Sequence, residues 1–598
     1  MTAFARSSRI VPAGSTPAPT ARRALSPFGE PVVFAGSMGL LYPGRSDVAV
    51  LMLGPVGYEE LCLRASWQRL AEGFSQAGIA CLRFDYPGQG AAPEPEAAAG
   101  LDDWFATICA AAALLRDASG CERLVLVGHG LGAALALQVA QALAPLAGIV
   151  LMAPVAQGRR YRRELSVWSH MLCDRIGIGP DPDDDTGCAV AGIRIAPGRL
   201  KAIVALTTEG TELPAGTEIL LVARPGHAGD EALAETLTAA LADPGGAVTR
   251  MLYQGHDLLT IDPTAARPPL ATLEGVLGWV RARATAAAVS MASPTTDAVL
   301  RGDGFVETPF RFGPGGRLLG ILCEPAGGRA GAPVLFVNAG RDYHIGWARV
   351  TVDQARCFAR LGIASMRFDF GGVGDSPAAS DAPAEFLYSQ SQIDDVVSAI
   401  DALEARGLGE PILIGRCSGA YAAFNAAVAD ARVRRLVLIN NERFVWDPDE
   451  SVDDALRYAH RSVGDFGATL RSRAGLRRLL TGQLRVGPAA RHILYRWLKR
   501  VSVSLAPLLG PLTKHGRLHR ECHRRMAVLA AREADVHLLY ADGDVGLKEF
   551  ATYFGAGGER LAAYPRTSLG IIAGADHNFT HRAAAGRLLS ALCGIVTR

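Results

Sequence analysis

The sequence lacks the features that mark several common classes of protein. It has no CxxC pair, and its 11 cysteines show no paired spacing, which argues against a disulfide framework and fits reduced thiols in a cytoplasm. No apolar run reaches the roughly 18 residues that a membrane-spanning helix needs. The formal net charge is only +2, so bulk electrostatics favours neither nucleic acid nor an anionic membrane as a partner.

Length and composition limit the domain organisation. Residues 1–27 contain Arg, Ser and Pro but no continuous apolar segment, so we interpret them as a disordered, weakly basic lead and not as a secretory signal. The full chain has 598 residues, and the part that follows residue 27 is still too long for one hydrophobic core. Apolar residues make up 49% and charged residues 20%, which is typical of a soluble globular protein with two large domains or several small ones.

The most informative feature is an internal repeat with an offset of about 285 residues. The stretch "AGIACLRFDYPGQG" (77–90) recurs as "LGIASMRFDFGGVG" (361–374). A strand, a glycine turn and a helix follow each copy, as "RLVLVGHGLGAALAL" (123–137) and "PILIGRCSGAYAAF" (411–424). Later, each copy has a strand that ends near a histidine, in "TRMLYQGHD" (249–257) and "SLGIIAGADHN" (568–578).

Short Val/Ile/Leu-rich strands that alternate with helical patterns predict parallel βαβ units covered on both faces. We therefore expect two tandem α/β domains, each a mostly parallel, doubly wound sheet, over 28–285 and 303–598. The Ala/Ser/Thr-rich stretch 286–302 is interpreted as a linker. One very large sheet is the alternative.

The second copy contains a cysteine where a nucleophile is expected. In "GRCSG", Gly415 and Gly419 flank Cys417 in the Gly-x-Nuc-x-Gly frame of a nucleophile elbow. Such an elbow holds its central side chain over a helix N-terminus, which favours an anion and is expected to lower the pKa of a thiol. The alternative is that Cys417 is an inert, buried cysteine.

A thiol nucleophile needs a base, and the base needs a group that orients it. His577 follows a late strand in "GADHNF", and "YADGDVG" offers two carboxylates, Asp542 and Asp544. The chain order nucleophile, acid, histidine is that of α/β-hydrolases. We favour Asp544 because it lies further into the loop, with Asp542 as the alternative.

An oxyanion hole is predicted from backbone N–H groups near the elbow. The donors are the N–H of Ser418 and one from the loop 339–342, for which we name Gly340 and Arg341. No cofactor and no metal are predicted.

The first copy lacks this nucleophile. Gly130 stands at the central position of "GHGLG"; His256 is present in "GHD", and Asp230 is a late and uncertain acid. A degenerate hydrolase domain is therefore predicted. The same stretch also matches the dinucleotide fingerprint G-x-G-x-x-A, but no carboxylate ends the next strand, "GIVLMAPVA".

The motifs together resemble known hydrolases over nearly the whole chain. The architecture resembles an α/β-hydrolase. The second copy resembles the exosortase A system-associated hydrolases of type 1, in "ETPFRFGPGGRLLGIL", "MRFDFGGVGDS", the cysteine-centred elbow, "LRRLLTGQLRVG" and "GADHNF". The first copy more loosely resembles the type 2 partner, including "VAGIRIAPGRLKAI". The resemblance implies a fusion of two normally separate proteins, associated with exopolysaccharide genes and of undefined substrate.

In that fold, the insertion at about 442–534 is expected to cap the pocket of the second domain. Residues 457–532 contain 17 Lys and Arg but only Asp465 and Glu521 as acids. This segment is interpreted as a solvated helical surface, an anion-recruiting lid or a membrane-surface patch. Three residues in "HRECHRR", His519, Cys522 and His523, form only a weak candidate for a metal site.

The sequence therefore predicts a cytoplasmic, cysteine-dependent acyl hydrolase or acyltransferase. Its predicted substrate is an ester or thioester, either a small molecule or a carrier-bound acyl group. One interpretation of the basic segment makes this substrate anionic. Pairing of the two domains within the chain is expected. The alternative is a non-catalytic scaffold whose cationic cap binds a partner.

Overall fold

The structure is a computed structural model that describes residues 25–95, 100–241, 245–259, 263–287, 291, 298–383, 385–447, 449–452 and 513–598. The predicted lead thus falls almost wholly outside the described residues. Within them, no helix combines the length and the apolar character that crossing a membrane demands.

The first half forms an eight-stranded sheet in the order β1-β2-β4-β3-β5-β6-β7-β8. Only the pairs β1–β2 and β2–β4 are antiparallel. Its strands are β1 (Glu30–Phe34), β2 (Ser37–Tyr42), β3 (Val48–Leu53), β4 (Ala80–Phe84), β5 (Arg123–His129), β6 (Leu146–Met152), β7 (Glu218–Ala223) and β8 (Ala247–Leu252). Its helices are α1 (Tyr58–Gln76), α2 (Asp102–Ser119), α3 (Leu131–Val139), α4 (Gly158–Ile176), α5 (Pro197–Ala205), α6 (Ala228–Ala240) and α7 (Leu270–Arg281).

The second half forms a nine-stranded sheet in the order β9-β10-β11-β13-β12-β14-β15-β16-β17. Its strands are β9 (Leu300–Gly302), β10 (Phe305–Phe312), β11 (Leu318–Pro325), β12 (Val334–Val337), β13 (Ser365–Phe368), β14 (Ile412–Arg416), β15 (Arg435–Ile439), β16 (Asp535–Ala541) and β17 (Thr567–Ile572). Its described helices are α8 (Val350–Arg360), α9 (Gln390–Glu404), α10 (Ser418–Ala429), α11 (Lys514–Ala531), α12 (Gly546–Phe554) and α13 (Arg582–Val596).

The two sheets repeat one topology, with β9 as an additional edge strand in the second. The central strands β3 (VAVLML) and β12 (VLFV) are buried along their whole length, as expected for parallel strands covered by helices on both faces. The predicted fold class, two mostly parallel sheets in tandem, is confirmed, and a single large sheet is not formed. Functional side chains follow the carboxyl ends of the parallel strands in both halves.

The domains contact each other through buried ion pairs. Arg64 on α1 donates to Asp375 of the second domain at 2.6 Å, and Arg83 on β4 pairs with the same carboxylate. The Tyr343 hydroxyl donates to Glu60 at 2.6 Å. Apolar packing crosses the same boundary, because Leu319 and Trp347 belong to the core of the first domain.

Two predicted boundary segments meet the structure only in part. The strand β9 lies inside the stretch predicted as linker, so regular structure of the second sheet begins at Leu300. Most of the predicted cap, residues 453–512, lies outside the described residues. Its described end is α11, which packs on α10.

Candidate active site

The turn between β14 and α10 has the geometry of a nucleophile elbow. Cys417 has φ 53° and ψ −121°, a conformation that non-glycine residues rarely adopt. A Cβ atom on Gly415 would lie 2.5 Å from the Gly419 oxygen, and one on Gly419 would lie 2.2 Å from the Val337 oxygen. Both glycines are therefore required sterically, as the sequence frame predicted.

The structure brings Cys417, His577 and Asp544 together. His577 Nδ1 lies 2.6 Å from Asp544 Oδ2, and a ring nitrogen of the same imidazole lies within 4.8 Å of the Cys417 sulfur. The other carboxylate oxygen of Asp544 accepts the Gly546 N–H at 2.7 Å, which fixes the side chain. Asp542 is exposed. Of the two candidate acids, it is Asp544 that contacts the histidine.

Two residues that sequence reasoning missed hold the catalytic loops in place. Asn440, at the end of β15, donates to the His577 carbonyl at 2.7 Å and accepts the Ala541 N–H at 2.7 Å. Arg416 donates to Asn578 and forms an ion pair with Asp342. Polar residues directly after buried strands, as in "LINNE", were the signal that could have found Asn440.

A further carboxylate, Glu442, lies beside the thiol and the imidazole. Its Oε1 is 3.8 Å from His577 Nε2, and carboxylate, sulfur and ring nitrogen all lie within 4.8 Å of one another. The Glu442 side chain is buried. The signal that could have found Glu442 is the same as for Asn440, because it is a polar residue two positions further along the same loop.

This environment changes the acid–base properties of the Cys417 thiol and the His577 imidazole. Burial raises the pKa of Cys417 above its ordinary value; the Glu442 charge adds to this, and His577 and Arg416 only partly oppose it. The predicted lowering by the helix N-terminus is therefore outweighed. Burial disfavours a charged His577, yet the Cys417 charge and the hydrogen bond that His577 donates to Asp544 outweigh burial and raise the pKa of His577. The two groups titrate as a coupled pair.

The three residues predicted to supply oxyanion donors, Ser418, Gly340 and Arg341, differ in the contacts that they make. Ser418 is the first residue of α10, where backbone N–H groups have no intrahelical acceptor. The Gly340 N–H donates instead to the Ser418 hydroxyl at 2.7 Å. The Arg341 side chain forms an ion pair with Glu385 at 3.2 Å. Gly340 can stabilise an oxyanion only after the Ser418 hydroxyl has rotated away.

Aromatic side chains form one wall near the thiol. The rings of Tyr388 and Trp446 stack with centroids 4.4 Å apart, and Tyr421 meets Tyr388 edge-on at 5.2 Å. Burial, and next the negative charge of Cys417, raises the pKa of Tyr388. Tyr388 and Tyr421 are buried, and of the three rings only that of Trp446 is partly exposed.

The equivalent turn of the first domain has the same shape but carries glycine at its centre. Gly130 has φ 56° and ψ −120°, almost the angles of Cys417. A Cβ atom there would lie 2.4 Å from the Glu59 carboxylate, which fills the space of the absent side chain. Asp230 pairs with Arg224 at 2.7 Å and with His227 at 2.8 Å. His256 follows β8, in the position equivalent to His577.

The described part of the basic segment is partly neutralised. Lys514 pairs with Asp447 at 2.7 Å and with Asp449 at 2.8 Å. Cys522 is buried in the core, and His523 Nδ1 is hydrogen-bonded to the Tyr564 hydroxyl at 2.7 Å. The structure therefore gives Cys522 and His523 packing roles.

Comparison with protein families finds a separate match to part of each half. The profile of the family described as serine aminopeptidase, S33, matches residues 56–177, and that described as alpha/beta hydrolase fold matches residues 332–485. The comparison with curated proteins returned no match.

Several solved structures are similar to part of this chain. An alpha-beta serine hydrolase homologue from Coxiella burnetii is 12% identical with a TM-score of 0.27, over 51% of this chain and 100% of that chain. A soluble variant of monoglyceride lipase from Saccharomyces cerevisiae is 13% identical with a TM-score of 0.31, over 45% and 100%. A puromycin-hydrolyzing peptidase from Mycobacterium tuberculosis is 16% identical with a TM-score of 0.31, over 49% and 39%.

Proposed function

Because the chain consists of two α/β-hydrolase domains in tandem, with a thiol at the elbow of the second, we propose that it is a cysteine-dependent acyl hydrolase or acyltransferase. The substrate class is an ester or thioester, and the reaction passes through an acyl-enzyme on Cys417. The observation that supports this proposal is the series Cys417, His577 and Asp544, in which a His577 ring nitrogen lies within 4.8 Å of the sulfur and Nδ1 lies 2.6 Å from the Asp544 carboxylate.

The first half-reaction forms the acyl-enzyme. His577 takes the thiol proton, and the sulfur of Cys417 attacks the substrate carbonyl carbon to give a tetrahedral intermediate. The N–H of Ser418 stabilises the oxyanion, and Gly340 adds a second donor when it releases the Ser418 hydroxyl. When the intermediate collapses, the bond to the leaving group breaks and His577 returns the proton to that group.

The second half-reaction transfers the acyl group to an acceptor. His577 deprotonates a water, hydroxyl or amine, which attacks the thioester carbon and restores the thiol. Asp544 keeps the imidazole oriented and stabilises its charged form through both steps. A thioester intermediate makes transfer to an amine or hydroxyl a real alternative to hydrolysis.

The wider context of the reaction belongs to the same proposal. We infer a cytoplasmic enzyme of the exosortase A system-associated type, in which the first domain pairs with the second and the basic segment attracts an anionic or membrane-bound substrate. The stacked rings of Tyr388 and Trp446 favour a substrate whose acyl or glycosyl group packs against them.

The test is acyl transfer to Cys417, followed by intact-protein mass spectrometry with a panel of acyl thioesters and esters. The wild type is expected to gain one acyl mass, and Cys417→Ala is expected to gain none. Cys357→Ala and Cys593→Ala, which remove other partly exposed thiols, serve as matched controls and should label normally.

The acid provides a second matched pair of variants. Asp544→Asn should lower kcat by about a thousandfold or more because His577 loses its orienting acceptor, whereas Asp542→Asn, on the same loop, should be nearly neutral. Full labelling of Cys417→Ala, or equal loss in the two Asp variants, would contradict the proposal and favour a non-catalytic scaffold.

A further inference from the structure

The first domain contains a cluster of potential metal ligands at its own elbow. Glu59 comes from the start of α1, His129 from the end of β5 and His256 from the turn after β8. One donor atom from each lies within 4.8 Å of the other two. These elements meet at the carboxyl edge of the sheet, the position where the second domain has its thiol.

Gly130 makes this arrangement possible. The Glu59 carboxylate lies 2.4 Å from the point where a Cβ atom on residue 130 would be, so any larger residue would expel it. Glycine at position 130 therefore has two consequences: the turn has no nucleophilic side chain, and the Glu59 carboxylate has room to enter.

His129 provides the second observation. Its side chain is fully buried, and among the described residues its Nδ1 has no hydrogen-bond partner. That atom lies 3.4 Å from Glu59 Oε1, while Nε2 is hydrogen-bonded to the Tyr253 hydroxyl at 3.1 Å. When Nε2 donates to Tyr253, Nδ1 keeps a lone pair directed at the cluster.

We propose that Glu59, His129 and His256 bind a divalent transition metal, with Zn²⁺ as the best match. Two imidazoles and one carboxylate are a ligand set of zinc sites that retain an open position. Donor atoms of a tetrahedral zinc ion lie about 3.3 Å apart, given metal–ligand distances of roughly 2.0–2.1 Å. The separation of 3.4 Å between His129 and Glu59 fits this value. The donor atom of the partly buried His256 lies within 4.8 Å of the other two, so it has to move by about 1.5 Å at most.

The charges around the cluster are compatible with a cation. Arg224 is the nearby positive side chain, and Asp230 neutralises it through ion pairing at 2.7 Å. Tyr253 is the outer partner that orients His129.

The test measures Zn²⁺ binding to the full-length chain in a Cys417→Ala background, which removes the thiol as a competing ligand. After dialysis against a chelator, calorimetric titration with Zn²⁺ is expected to give one tight site. His256→Ala should weaken this site by about a hundredfold, and Tyr253→Phe by about tenfold. His170→Ala, which removes an exposed histidine of the same domain, should bind like the parent.

Cobalt gives an independent readout that does not depend on affinity. Co²⁺ bound by this cluster should show the visible bands of a four- or five-coordinate ion, and His256→Ala should abolish them. Far-ultraviolet circular dichroism of the metal-free variants checks that they are folded. Absence of tight Zn²⁺ binding by the parent, or unchanged binding by folded His256→Ala, would overturn the proposal.

Discussion

At the scale of single residues, the two elbow turns differ in the backbone strain of their central residue. Gly130 and Cys417 share nearly the same backbone angles, although only glycine adopts them without strain. The second domain retains a strained cysteine because two glycines and a tight strand–helix turn hold it there. In the first domain the strain is absent, and Glu59 occupies the vacated space.

This comparison gives a stability prediction for the first domain. Gly130→Ala should lower the free energy of unfolding by about 2–4 kcal/mol, because it combines a positive φ with a clash against the Glu59 carboxylate. Gly177→Ala is the matched control: its φ is also positive, at 73°, but the space around it is open, and we expect a loss of about 1 kcal/mol. Urea unfolding with chelator present measures both, and equal losses would contradict the assigned clash.

Glu442 gives a prediction about thiol reactivity. Because burial and the Glu442 carboxylate both raise the pKa of Cys417, alkylation of the wild type should accelerate toward alkaline pH. Glu442→Gln removes a negative charge beside the sulfur, so the pKa should fall and alkylation near neutral pH should accelerate about tenfold.

Iodoacetamide rates between pH 6 and 10, read by mass on the peptide that contains Cys417, measure this effect. Glu450→Gln, a change to a carboxylate held by Arg443, is the control and should leave the profile unchanged. Slower alkylation of Glu442→Gln would show that the carboxylate assists the thiolate instead of opposing it.

At the scale of secondary structure elements, a buried carboxylate joins the amino-terminal strands of the second domain to its core. Glu307 on β10 accepts from Arg367 on β13 at 2.7 Å and pairs with Arg356 on α8 at 2.8 Å. Despite its burial, these two cations lower the pKa of Glu307 to about 2. One residue thereby holds two strands and a helix in register.

The stability of this junction should depend on pH in a defined window. Because the pKa of Glu307 is lower in the folded state, its stabilisation is complete above its unfolded value of 4.5 and is lost as pH falls toward 2. Glu307→Gln leaves two buried cations without a carboxylate and should cost about 3–5 kcal/mol at pH 7, with a smaller loss at pH 3.

Denaturant unfolding at the two pH values measures this prediction. Glu324→Gln on β11, whose carboxylate pairs with Arg329 near the surface, is the control and should cost less than about 1 kcal/mol. A loss for Glu307→Gln that is independent of pH would contradict the role assigned to its ionisation.

At the scale of the whole molecule, the two domains are joined by more than a linker. Asp375 is fully buried and accepts from two arginines of the first domain, Arg64 and Arg83. Arg349 of the second domain donates to backbone carbonyls of Gly88 and Ala92. Charges buried between domains tie their folding together because neither partner can be left unpaired.

We therefore expect the wild type to unfold in one cooperative calorimetric transition. Asp375→Asn should lower stability by about 3–5 kcal/mol and divide the transition in two, because it leaves the arginines of the first domain without their acceptor. Asp401→Asn, which removes an exposed partner of Arg432, should leave a single transition. Two transitions in the wild type would contradict this coupling.

The sequence alone determined the fold and the location of the candidate nucleophile. Alternating apolar strands and helices, repeated once, predicted both sheets, and glycine spacing located Cys417 and Gly130 at equivalent turns. These features are local: hydrophobic periodicity and steric requirements of a turn are written in consecutive residues.

The tertiary structure alone decided which groups meet. Sequence reasoning favoured Asp544 with Asp542 as the alternative, and it missed Glu442 and Asn440. Contacts between strand ends depend on packing between residues that are far apart in the chain. It predicted Gly340 as an oxyanion donor, but the nearby Ser418 hydroxyl already accepts that N–H. The direction of the Cys417 pKa shift was set in the same way, because desolvation and Glu442 act only once the chain has folded around the sulfur.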